Sequence, residues 1–206
     1  MIWEYADGIL TIRGTGTIPN CDIAPWCRFR ESIQRVIISE GITSIGDYAF
    51  SDCSRLTLIT IPESVTSIGI CAFYNCRDLT SITIPDRVTS IGNGAFIDCI
   101  SLTSITIPGS VTNIGGAAFL YCSNLTSITI SEGVTSIGDW AFAECSSLIR
   151  IECHSLTPPI IFGDTFNYVD ATNCLLYIPT KSVDTYKAAE YWQDFNNIFA
   201  MLLTQF

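Results

Sequence analysis

The sequence predicts an α/β solenoid: a right-handed stack of 23-residue coils, one parallel β-strand per coil, with a cap at each end. Three observations predict it. Phe50, Phe73, Phe96, Phe119 and Phe142 recur at a step of 23 residues, by subtraction. Cysteine follows three residues after each (Cys53, Cys76, Cys99, Cys122, Cys145), and leucine three after that (Leu56, Leu79, Leu102, Leu125, Leu148). Gly46, Gly69, Gly92, Gly115 and Gly138 keep the same step, as do Ala49, Ala72, Ala95, Ala118 and Ala141. A fixed period of this length marks stacked units, each too small to bury its apolar residues alone.

One unit reads L-T-S-I-T-I-P-x-x-V-T-S-I-G-x-x-A-F-x-x-C-x-x, beginning at Ile33, Leu56, Leu79, Leu102 and Leu125, with a weaker sixth copy at Leu148. In Ile82-Thr83-Ile84 apolar and polar residues alternate, and both types are β-branched, which predicts a strand. Pro62, Pro85 and Pro108 lack an N–H and should end that ladder. Val88 and Ile91 mark a second short extended segment. Gly92 is expected to allow a turn that a Cβ would resist. Ile91, Ala95, Phe96 and Cys99 then fall on one face of a short helix, with Asn93, Asp47 and Asp139 as N-caps in their coils. Adjacent coils should lie about 4.7–4.9 Å apart, the strand-pairing distance.

The ends differ from the repeats. Residues 1–32 form the expected N-terminal cap, in which Asp7-Gly8 between apolar runs signals a hairpin. Residues 33–147 hold the five repeats. Residues 148–206 hold the degenerate repeat and a C-terminal cap, all within one structural domain. There Leu176-Tyr177-Ile178-Pro179 echoes the repeat strand. Val183 to Phe195 is expected to be helical and to seal the last coil with Tyr186, Ala189, Trp192 and Phe195. The run Phe199 to Leu203 is too apolar for a free tail, so it should dock or be disordered.

Composition excludes several functions. The net charge is −10, and Lys181 and Lys187 are the only lysines. A nucleic-acid partner requires clustered basic residues, so none is expected. No apolar run reaches the roughly 20 residues of a bilayer span, and no membrane insertion is expected. Met1 is followed at once by Ile2 and Trp3, with no basic or apolar leader. That fits either a cytoplasmic protein or a mature fragment with a start Met. The chain is expected to be monomeric.

The unit resembles the BspA-like branch of the leucine-rich-repeat superfamily, the 23-residue bacterial type also found in treponemal surface repeats. The residues that carry the resemblance run from Leu79 to Cys99, with four near copies. Trp3, Gly8, Leu10, Ile12, Gly14 and Gly16 resemble the family's leading segment, and Pro158-Pro159, Phe166, Tyr177, Pro179, Tyr186 and Trp192 its closing cap. The commoner leucine-rich repeat has Asn or Cys where this chain has Ser64, Arg87, Ser110 and Gly133, so an asparagine ladder is absent. The resemblance implies a bacterial cell-surface or secreted protein of adhesion or host contact. It implies no reaction and no cofactor.

The residues themselves offer little chemistry. The column Cys53 to Cys145 is expected to be a free, buried ladder, because five thiols with equivalent neighbours cannot all pair and thiol packs as a small apolar group. Cysteine at zinc-ligand spacing is missing. Cys153 aligns with Ile130 and is expected in the core. Cys21 and Cys27 are the best disulfide candidates. His154, the single histidine, has no motif around it. Scattered carboxylates read as a solvated rim rather than a glycosidase pair. Arg13-Gly14-Thr15-Gly16-Thr17 lacks the lysine and helix of a phosphate loop.

The outward face of the strands is the candidate site. If Ile59 and Ile61 point inward, then Leu58, Thr60 and Pro62 point outward. The matching sets are Ser81, Thr83 and Pro85; Ser104, Thr106 and Pro108; and Ser127, Thr129 and Ser131. Ser81, Thr83, Ser104, Thr106, Ser127 and Thr129 are therefore the expected ligand-contacting residues, with a protein or glycan as ligand and no cofactor or metal. This face is expected to offer small hydroxyls with almost no charge and no aromatic anchors. Trp140, on the opposite side, is its rival. A structural spacer is the alternative function, and an enzyme a remote third.

Overall fold

The computed structural model describes residues 1–20 and 24–201. In chain order the strands are β1 (Ile2–Ala6), β2 (Ile9–Arg13), β3 (Gly16–Ile18), β4 (Arg35–Ile38), β5 (Ile42–Ile45), β6 (Leu58–Thr60), β7 (Ser67–Ile68) and β8 (Ser90–Ile91). They continue as β9 (Ser104–Ile107), β10 (Asn113–Ile114), β11 (Ser127–Ile130), β12 (Ser136–Ile137), β13 (Arg150–Cys153), β14 (Leu175–Pro179) and β15 (Asn197–Met201).

The repeat writes two strands per coil, not one. The I-T-I segments build the wide face, in the orders β1-β2-β4-β6 and β15-β14-β13-β11-β9. The S-I segments build a second, narrow face, in the order β12-β10-β8-β7-β5-β3. All pairs are parallel except β1 with β2. Each parallel pair joins residues about one coil apart, such as Ile128 with Ile105. The second extended segment is thus a ladder of its own, because its Ser–Ile pair superposes from coil to coil just as the first segment does.

The wide face has a seam. Residues 81–84, expected as a strand, lie outside both ladders. Ile82 and Ile84 nonetheless stay buried, while Ser81 and Thr83 stay exposed. Packing alone preserves the alternation there. Pro62, Pro85 and Pro108 are buried rather than outward. The strand ends before them, and each proline carbonyl accepts the N–H of a valine three residues on (Val65, Val88, Val111), which turns the chain inward.

The third side is not helical. Within it, residues with positive φ alternate with ordinary ones: Tyr48, Cys71, Ala117 and Trp140 in one column, Asp52, Asn75, Asp98, Tyr121 and Glu144 in another. Left-handed residues cannot propagate an α-helix. N–H groups of this segment reach the next coil instead: Tyr48 N donates to Ile70 O, Asp52 N to Tyr74 O and, between them, Phe50 N to Ala72 O. So this side is a third set of inter-coil hydrogen bonds. The expected N-caps also bridge coils. Asp47 Oδ1 accepts Ile70 N at 2.7 Å, and Asn93 Oδ1 accepts Gly116 N at 2.8 Å.

Gly92 is required by crowding, not by a left-handed turn. A Cβ there would lie 2.6 Å from the Gly69 carbonyl carbon of the preceding coil. Backbones approach at this corner too closely for a side chain.

The core is one continuous cluster running through all coils. Phe50, Phe73, Phe96, Phe119 and Phe142 are fully buried and stack with centroids 5.1–5.5 Å apart. Trp26 extends the column at one end and Phe166 at the other. Trp26 Nε1 donates to Ala49 O, so its one polar atom is paired. Beyond Phe166, Trp192 and Phe195 meet its ring edge-on and close the stack, and Trp192 Nε1 donates to Pro159 O at 2.8 Å. The closing segment is not one helix: α1 (Val183–Ala188) stops, Tyr191 adopts φ 64°, and a single 3₁₀ turn follows at Trp192–Asp194. Tyr186, Trp192 and Phe195 are buried as expected, and Ala189 is half-buried. The chain then docks as β15 beside β14. Leu202 and Leu203 lie outside the described residues.

Candidate binding face

Outward residues of the wide face fall into two rows across the strands. In one, Thr11, Ile37 and Thr60 are in register on β2, β4 and β6. Beyond the seam the row resumes as Thr106, Thr129, Glu152, Tyr177 and Phe199. The second row runs Ile9, Arg35 and Leu58, then Ser104, Ser127, Arg150, Leu175 and Asn197. Four of the six sequence-derived residues, Ser104, Thr106, Ser127 and Thr129, therefore form a true lattice on β9 and β11. Ser81 and Thr83 are exposed beside it but lie in the seam.

Two kinds of hydroxyl are distinguishable. Corner threonines bind the stack: Thr66 Oγ1 donates to Thr43 O, Thr89 to Thr66 O, Thr126 to Thr103 O and Thr135 to Thr112 O, all at 3.0–3.2 Å. The hydroxyls of Ser81, Thr83, Ser104, Thr106, Ser127 and Thr129 have no such partner among the described residues. They are free to face solvent or a ligand.

At β13 the face changes character. Arg150 Nε and Nη2 both donate to Glu152 Oε1, at 2.8 and 2.7 Å. The guanidinium also lies 4.1 Å from the centroid of the Tyr177 ring. Tyr177 meets Phe199 on its other side, centroids 5.7 Å apart. The hydrogen bond to Glu152 holds the Arg150 pKa above its ordinary value, and the paired charge is retained. His154 Nε2 lies 3.8 Å from Glu152 Oε2. The expectation of a face without aromatic residues is thus corrected. The signal was present in the sequence: Cys153 aligned with Ile130 puts Glu152 beside Thr129, and the echo at Leu176-Tyr177-Ile178-Pro179 puts Tyr177 next in line.

Trp140 sits on the third side at φ 59° and is 39% exposed. Among the described residues, no three His, Cys, Asp or Glu side chains converge as metal ligands. The thiols of Cys53, Cys76, Cys99, Cys122 and Cys145 are free and buried. Burial pushes Cys53 and Cys145 up to about 12 and the three between them well above the ordinary thiol value. Such thiols are not nucleophiles at neutral pH. Cys153 is buried in register with Ile130. The candidate pair Cys21 and Cys27 cannot be placed, because Cys21 lies outside the described residues.

A solenoid with this repeat defines a class of leucine-rich-repeat proteins. The chain belongs to the BspA-type leucine-rich-repeat family, whose model matches residues 26–149 in six copies. No curated protein matches it. Among solved structures it is similar to the leucine-rich-repeat protein of T. pallidum, with 25% identity, a TM-score of 0.62, and 73% of this chain and 78% of that one covered. It is also similar in fold to the pneumococcal vaccine antigen PcpA, with 19% identity and a TM-score of 0.69. That alignment covers 98% of this chain but 48% of PcpA, so the chain spans about half the length of that protein. A leucine-rich-repeat protein of Bacteroides ovatus shares the fold at 19% identity and a TM-score of 0.51, over 97% of this chain and 75% of that one. No helix among the described residues is long and apolar enough to cross a membrane.

Proposed function

We propose that this chain is a non-enzymatic binding module, displayed outside the cell or on its surface, that contacts protein or glycan through the outward rows of its wide face. One observation carries the reading: corner threonines are bonded to the neighbouring coil, whereas the outward hydroxyls of Ser104, Thr106, Ser127 and Thr129 are left uncommitted. A rigid lattice of donors and acceptors that bond no neighbouring coil suits recognition. The similarity to a vaccine antigen agrees with surface display.

The experiment compares two sets of variants against a partner isolated with the immobilised protein. Thr83→Glu and Thr106→Glu should abolish binding and leave the melting temperature nearly unchanged, since exposed substitutions usually stay within about 0.5 kcal/mol. Binding that survives them and disappears with Trp140→Ala assigns the site to the third side. A spacer role predicts no partner for either face.

A further inference from the structure

We propose that the row Arg150–Glu152–Tyr177–Phe199 is a subsite for a neutral glycan whose chain continues over Thr129 and Thr106. The proposal rests on the wide face being the binding face, and it names the ligand class.

Three features point to a polyhydroxylated, uncharged ligand. The first is a fixed aromatic surface. Tyr177 is held between the Arg150 guanidinium at 4.1 Å and Phe199 at 5.7 Å. Phe199 stands on β15, the edge strand among the described residues, and is 45% exposed. The C–H face of a pyranose carries the partial positive charge that a π face attracts. Pre-ordering of the stack means that little side-chain freedom is lost on binding.

The second feature is charge. Both Arg150 contacts go to one oxygen of Glu152. The cation is neutralised where it stands, and neither lysine of the chain belongs to this row. An anionic polysaccharide would meet a paired arginine and a protein of net charge −10, which is unfavourable. A vicinal diol has no such difficulty. It can accept from the guanidinium N–H groups that Glu152 leaves over and donate to Glu152 Oε2.

The third feature is the adjoining lattice. Thr129 is in register with Glu152, and Ser127 with Arg150, so the free hydroxyls begin where the charged pair ends. Each hydroxyl donates once and accepts twice. An apolar protein surface laid on them would leave these groups buried and unpaired, which is unfavourable. A sugar answers each with hydroxyls of its own. The strand spacing of about 4.8 Å is also close to the length of one pyranose unit in an extended chain, so successive sugars meet successive coils.

Native affinity electrophoresis tests this, using gels that contain soluble β-1,3-glucan, mannan, xylan or, as the anionic probe, heparin. The wild-type chain should be retarded by at least one neutral polysaccharide and not by heparin. Tyr177→Ala and Arg150→Ala should each weaken that retardation at least tenfold, and Tyr177→Phe should retain it. Trp140→Ala should behave as wild type. Circular dichroism and the melting temperature establish that each variant is folded, and Thr106→Glu supplies a second route into the same surface. No retardation in any neutral gel, retardation by heparin alone, or retardation indifferent to Tyr177→Ala overturns the proposal. If a protein partner is captured instead and lost with Thr106→Glu, the wide face stands as the site and the glycan is wrong. If binding of any kind is lost only with Trp140→Ala, both readings fall.

Discussion

The thiol of Cys99 donates to the carbonyl oxygen of Phe73, 3.3 Å away in the preceding coil. Cys76, Cys122 and Cys145 repeat the contact with Phe50, Phe96 and Phe119. Each thiol is therefore more than an apolar filler. It gives the carbonyl that already accepts the N–H of the cysteine in its own coil a second donor, as Phe50 O does for Cys53 N. These cysteines should be inert while the protein is folded. Labelling with a water-soluble maleimide should leave Cys76, Cys99 and Cys122 unmodified in native protein and label all three in denaturant. Rapid native labelling would contradict the packing.

The same burial makes stability sensitive to alkali. An unfolded thiol titrates near 9, whereas Cys53 and Cys145 are held up at about 12 by desolvation. Below pH 9 both states keep the proton and nothing changes. Between about pH 9 and 12 the unfolded chain releases protons that the folded chain retains, so stability must fall as pH rises. Melting curves from pH 8 to 11 should show this decline, and Cys53→Ala with Cys145→Ala should make it shallower, the remaining slope coming from Cys76, Cys99 and Cys122.

Phe96 lies between Phe73 and Phe119 in near-parallel contact, with centroids at 5.2 and 5.1 Å. Phe96→Ala removes a ring from the middle of a column that cannot collapse, because backbone bonds on either side fix the coil spacing. The expected loss is about 3–5 kcal/mol, measured by urea denaturation. A loss below about 1 kcal/mol would mean that the coils are free to close the gap.

Two glycines separate crowding from backbone conformation. Gly94 has φ +63° and its Cβ would meet only side-chain atoms, Ile97 Cδ1 at 2.8 Å and Cys71 Sγ at 3.0 Å, and the equivalent residue of the next coil is Ala117 at φ 55°. Gly94→Ala should cost roughly 1–2 kcal/mol. Gly92 has no positive φ, but its Cβ would press on the Gly69 backbone. Backbone cannot swing aside as a side chain does, so Gly92→Ala should be the more damaging, by roughly 1–3 kcal/mol or more. The reverse order would show that this corner can open.

Asn93 ties its coil to the next through Gly116 N. Asn93→Ala should cost about 1 kcal/mol, the usual net value of such a bond. Asn93→Asp keeps the acceptor and should restore most of it in the same denaturation assay.

Much of this was legible in the sequence, for a physical reason. A residue that recurs every 23 positions must superpose on its own kind, so Phe96, Cys99 and Ile105 disclosed the core directly. The third side was misread as helix because Ala95, Phe96 and Cys99 have helical spacing, while the residues that forbid a helix carry no common signature. Tyr48, Cys71, Ala117 and Trp140 share a left-handed backbone and nothing else. The seam at Ser81 and Thr83 was illegible for a related reason: its residues copy those of Ser104 and Thr106, which do form a ladder. On the wide face the hydroxyl rows followed from alternation, and Glu152 keeps the 23-residue step from Thr129, but Tyr177 lies 25 residues beyond Glu152, where the period slips. Phe142 and Phe166 are 24 residues apart rather than 23, and a strict period cannot be followed past that point.

The inter-coil bonding on all three sides has a consequence for how such a chain can change length. Away from the seam at residues 81–84, the repeats meet their neighbours through equivalent contacts, so duplication or excision of one 23-residue segment there leaves the remaining junctions chemically similar. The aromatic and charged row is anchored to the closing cap, on β13, β14 and β15. Recombination among the repeats would therefore lengthen or shorten the hydroxyl lattice while leaving its terminus in place. Reach and anchoring are thus inherited separately: the first by counting coils, the second by keeping the cap.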